Sequence, residues 1–95
     1  MAAIGVLTLE LRLENSHSLK EKRHVVKGLQ ERLRNKFNVA VAEIDYQDLW
    51  QRSVVAAVTV SSDHVHAERV LRSVEAEAAS LLGPGLTQAS VEWIE

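Results

Sequence analysis

The chain has 95 residues, a formal net charge of -2 and no cysteine. That length supports one domain, residues 1–95, with a core just large enough to fold unaided, and the lack of thiols excludes a disulfide framework and a cysteine-based zinc site. With 25% charged and 46% hydrophobic residues, the balance is that of an ordinary soluble domain and excludes wholesale attraction to a polyanion.

The opening, MAAIGVLTLELRLE, has no basic n-region and alternates apolar with polar residues. It reads as a strand over Ala3–Leu13 rather than a signal peptide. Leu7, Leu9, Leu11 and Leu13 point to one side and Thr8, Glu10 and Arg12 to the other. Asn15 to His17 breaks the strand. Ser18 with Glu21 forms a capping box, the Ser oxygen accepting from the Glu21 amide and the Glu reaching back to the cap's own amide. Leu19, Val26, Leu29 and Leu33 give the helix its apolar stripe. Gly28 weakens it by roughly 1 kcal/mol relative to Ala, and its expected use is close approach to the sheet.

Phe37–Asp45 reads as a second strand, YQDLWQR as a connection, and Ser53–Ser61 as a third strand. Ser62 or Asp63 caps a second helix whose stripe is Ala67, Val70, Leu71, Val74, Ala78 and Leu81. Gly83-Pro84-Gly85 ends it, because glycine relaxes the C-cap and proline cannot continue a helix. Leu86–Ile94 is the last strand. No apolar run approaches the roughly 20 residues a membrane helix needs, so no membrane partner is expected and the expected location is the cytoplasm. The order β-α-β-β-α-β with right-handed crossovers predicts an α+β, ferredoxin-like sandwich: a four-stranded antiparallel sheet, order 4-1-3-2, with two helices on one face. That architecture hosts many unrelated functions.

Two polar motifs stand at a particular spacing: His17-Ser18-Leu19-Lys20-Glu21-Lys22-Arg23 and Asp45-Tyr46-Gln47-Asp48-Leu49-Trp50-Gln51-Arg52, with RNKFNVAVAE between them. Together they resemble the bacterial YlxP-like family, a domain of unknown function, from about Ile4 to Asp63 and more loosely beyond. Tyr46 falls where the family varies and receives no role. The resemblance implies the ferredoxin-like fold. Family members are often encoded beside translation-initiation and ribosome-maturation factors, which implies an association with translation. It implies no chemistry, and no catalytic residue is carried over.

Positive charge is concentrated on one segment. Arg12 to Lys36 carries eight Lys/Arg against three Glu, a net of +5, and the remainder a net of -7. On a helical wheel Lys20, Arg23, Lys27 and Arg34 fall within an arc of roughly 60°, about 110° from the apolar stripe. Such a row suits a phosphate backbone or an acidic protein, with His17 and the loop residues Asp45, Gln47, Asp48, Trp50 and Arg52 at its rim. The plainer reading is a solvated helix face, with Glu31 as partial counterweight. The sheet is a poor RNA platform. Its expected outward residues (Thr8, Glu10, Glu43, Thr59, Ser90, Glu92) include acids that repel phosphate, and the aromatics are only Phe37, Tyr46, Trp50 and Trp93.

His64 and His66 are two apart and share no helix face, so Asp63 reads as an N-cap and no metal is expected. Asp45 and Asp48 form a pair of acids without nucleophile or phosphate loop, better read as a turn in which Asp bonds nearby amides and Trp50 covers the core edge. No catalytic residue, cofactor or enzymatic activity is expected. The leading reading is an accessory factor in translation or ribosome maturation that binds RNA or an acidic partner through its first helix. The alternative is a homo-oligomeric interaction or small-ligand module, a dimer in its simplest form. It would associate through the edge strand FNVAVAEID or through an open sheet face bearing Val39, Val41, Val55 and Ala57.

Overall fold

The computed structural model describes residues 1–94. The elements are β1 (Ala3–Arg12), α1 (Leu19–Lys36), β2 (Ala40–Asp45), β3 (Arg52–Ser61), α2 (His64–Leu82), a 3-10 turn at Gly83–Gly85 and β4 (Leu86–Ile94). The strands form one sheet in the order β2-β3-β1-β4, every neighbouring pair antiparallel. This is the expected 4-1-3-2 arrangement, and the chain is ferredoxin-like.

The pleat decides what each residue meets. Leu7, Leu9 and Leu11 of β1 lie opposite Ala57, Val55 and Ser53 of β3. The first two of these cross-strand pairs join Val26, Leu29 and Leu33 of α1 and Leu71, Val74 and Ala78 of α2 in one buried cluster. Both helices therefore cover the same face. Ile4, Val6, Thr8 and Glu10 point the other way, beside Val60, Val58, Ala56 and Val54.

Several expectations need correction. Val41, Val55 and Ala57 belong to the core, and Val39 packs against it. Glu43 and Thr59 share that side, as partners of Val55 and Gly5. The open face carries the even-numbered residues of β3 instead. The run Val54-Val55-Ala56-Ala57 is buried throughout, so its composition gives no sign of facing; only the register with β1 sets it. β2 begins at Ala40, not Phe37. The Phe37 amide is spent closing α1 on the Leu33 carbonyl, and the Asn38 carbonyl accepts from Thr59 Oγ1 at 2.9 Å. Leu81 of the expected α2 stripe is exposed.

The glycine that permits close approach is Gly5, not Gly28. A Cβ at Gly5 would stand 2.6 Å from Leu71 Cδ1 and 2.7 Å from the Trp93 ring, whereas one at Gly28 would meet nothing within 4 Å. Ser18 caps α1 by accepting from the Glu21 amide at 3.1 Å. The return bond of the capping box differs: Glu21 Oε2 accepts from the His17 amide at 2.7 Å, one residue before the cap. Asp63 caps α2 through the Val65 amide.

Candidate functional site

Helix α1 presents its cations in three environments. Lys20, Arg23 and Lys27 are exposed, and no ion pair engages them among the described residues. Arg34 is also exposed and without an ion pair; its Nη1 reaches the Val41 carbonyl on the β2 edge at 3.4 Å. These residues span fourteen helical steps, about 21 Å along the axis. Arg32 and Lys36 near the C-terminal end form a second environment. They share Glu77 of α2, at 2.9 and 2.7 Å. Hydrogen bonding from Lys36, seconded by Arg32, outweighs desolvation and holds the Glu77 carboxyl below its ordinary value of 4.5.

Lys22 is the third environment, and the sequence reading missed it. Its side chain is fully buried. The ammonium donates to the carbonyls of Tyr46, Gln47 and Arg52 at 2.5, 3.2 and 3.3 Å, and lies 3.0 Å from Glu43 Oε2. Ser53 Oγ donates to the same carboxylate oxygen at 2.6 Å. A buried ammonium is tolerable only when its donors are met and its charge is balanced, and here both conditions hold. The signal was present in the spacing. At 100° per residue Lys22 falls between Leu29 and Leu33, in the middle of the apolar stripe. Glu43 reaches Lys22 because the β2 register puts Glu43 on the same side as the core residue Val41.

Lys22 fixes the 45–52 loop. Tyr46 sits at φ 60, a left-handed conformation that costs a non-glycine residue energy and persists where surroundings dictate it. Four contacts dictate it here. The Asp45 carboxylate accepts from the Tyr46 amide, the Tyr46 carbonyl receives both Lys22 and the Leu49 amide, and the Arg52 guanidinium lies 4.2 Å from the Tyr46 ring. Gln51 Nε2 ties the loop to the carbonyls of Glu14 and Ser16, each at 3.2 Å. The loop is thus bolted to the N-terminal half of α1, about 130° around the helix from the basic row. Trp50 does not cover the core edge: it is 54% exposed, beside an exposed Leu49.

His17 is exposed just ahead of α1. A cleft of about 790 Å³, which His17 does not line, opens between the 12–16 segment and α1, with Lys20 and His24 against the apolar walls Leu13, Val25 and Leu82. His64 stacks on Trp93, ring centroids 4.0 Å apart. Among the described residues no three His, Asp or Glu stand together as a metal-holding group, and no helix is long and apolar enough to cross a membrane.

Residues 4–87 match the family described as Protein of unknown function (DUF503). The chain is 41% identical to the uncharacterized protein YlxP of Bacillus subtilis (strain 168) over 90 residues, covering 95% of this chain and 98% of that one. Among solved structures it is similar to the de novo designed protein Foldit4, with a TM-score of 0.61, 14% identity, and 100% and 98% of the two chains covered. It is also similar to a putative antibiotic biosynthesis monooxygenase from Bordetella bronchiseptica, with a TM-score of 0.57, 12% identity, and 100% and 97% covered. At such identities these structures speak for the fold alone.

Proposed function

The chain belongs to the DUF503 family, and from that premise we propose that it is a non-enzymatic accessory factor of translation or ribosome maturation that docks on RNA through Lys20, Arg23, Lys27 and Arg34. The observation that carries this reading is the sorting of cations on α1. Lys22, Arg32 and Lys36 are each paired with a carboxylate, while the cations of the outer row have no ion-pair partner among the described residues. A row about 21 Å long matches the reach of several backbone phosphates. His17 and the cleft beside Lys20 lie toward one end of the row, and the bolted loop lies about 130° around the helix from it. RNA approaches the helix rather than the sheet. Trp93 sits on the helix-covered side of β4, opposite Gly5, so the one aromatic of the strands is not presented on the open face for base stacking.

The test is retention on single-stranded RNA across a salt series. Four phosphate contacts give a log–log slope of roughly -3. A slope near zero, or no retention at low salt, overturns the proposal. Salt-sensitive capture from extract that persists after ribonuclease treatment would assign the row to an acidic protein instead.

A further inference from the structure

The helices cover one face of the sheet, and the other face carries an apolar patch bordered by Thr8, Glu10, Ser90 and Glu92. Val6 and Val58 stand side by side at its centre, Ile4 and Val60 beside them, with Ala40 and Ile94 on the flanking strands. Val60 and Ile94 are more than half exposed. The pairing is continuous across all strands, so these side chains form one patch rather than scattered contacts. An apolar surface of this extent on one face marks an interface.

We infer that two copies of this chain pair face to face through this open side of the sheet, with the basic row of α1 pointing outward from the dimer. Area is the first argument for a second copy. Strands about 4.8 Å apart and about 30 Å long give a footprint of roughly 500 Å², and side-chain relief raises its accessible area toward the ~800 Å² per partner of a stable complex. Charge is the second. Alternation places Arg12 and its partner Arg52 at one end of the face, and Glu92 lies beside Val6 toward the other. A two-fold axis crossing the strands near Leu9 lays each copy's Arg12 over Val6 of the partner copy, next to that copy's Glu92, and its Glu10 over Thr8 rather than over an acid. Such an isologous contact is self-complementary and closed. The β2 edge is the weaker candidate, because Arg34 already occupies the Val41 carbonyl there. The proposed dimer face contains none of the four residues that carry the RNA proposal.

Sedimentation of the full chain at micromolar concentration tests it, with circular dichroism to confirm folding. The wild type sediments as a dimer at low and high salt. Val60→Lys acts at an exposed position, so the monomer keeps its fold. It raises the dissociation constant at least about 100-fold, since symmetry buries the new charge twice. Val58→Lys gives the same dissociation as a second variant. Val91→Lys alters an exposed valine on the opposite side of the sheet, across from Leu7, and leaves the dimer intact, as does Lys27→Glu. A monomer throughout, or an oligomer that dissociates with Val91→Lys but not with Val60→Lys, overturns the inference.

Discussion

Lys20 and Lys22 are the same residue two positions apart on one helix, and they have opposite fates. Lys20 stands in solvent among other exposed cations. Lys22 is sealed inside, its ammonium shared among three carbonyls and the Glu43 carboxylate. The difference is rotational: two steps of 100° carry a side chain from the outer face into the apolar stripe. It teaches that the positive charge of α1 is not one feature. One part holds the fold and the loop together, another neutralises Glu77, and the remainder has no ion-pair partner among the described residues.

Removing the inner lysine is the harshest way to probe that division. Lys22→Met strands Glu43 and three loop carbonyls, and it lowers unfolding free energy by about 3 kcal/mol in denaturant melts. Glu43→Leu in the same chain recovers part of the loss. A change below about 0.5 kcal/mol, the level expected of a surface lysine, would erase the distinction between the two positions.

The start of the helix sharpens the comparison next. Ser18→Ala removes the acceptor for the Glu21 amide and costs about 1 kcal/mol, with both lysine environments weakened together because both lie in the first turns. On the outer face the sign reverses. Gly28 is exposed with open space around it, so Gly28→Ala stabilises the protein by roughly 0.5–1 kcal/mol. Destabilisation there would mean that this side of α1 packs against something within the chain.

The smallest effect concerns the paired cations at the far end. The Glu77 carboxyl is held below 4.5 chiefly by Lys36. A depressed folded-state value makes its contribution full above 4.5 and lost as pH falls through the lowered value. Glu77→Gln therefore flattens the acid limb of the stability profile and leaves the profile's shape near neutral pH unchanged.

Much of this was legible in the sequence. Alternation in β1, the Ser18 cap and the GPG stop set the element order, and the strand order followed from crossover handedness. The facing of β2 and β3 was not legible, because β3 is apolar on both sides and only pairing with β1 distinguishes Val54 from Val55. The error moved Glu43 to the wrong side and hid its bond to Lys22. The outer row was found from the helical wheel alone. What separates it from Arg32 and Lys36 is Glu77, forty-odd residues away in sequence and adjacent only in the folded chain.

The most direct test reverses the outer row alone. Charge reversal of Lys20, Arg23, Lys27 and Arg34 to Glu, assayed for RNA binding and thermal melting on one preparation, abolishes binding while the melting transition stays cooperative. Glu10→Gln, on the open sheet face, leaves binding intact. RNA affinity that survives the reversal in a folded protein would contradict the account.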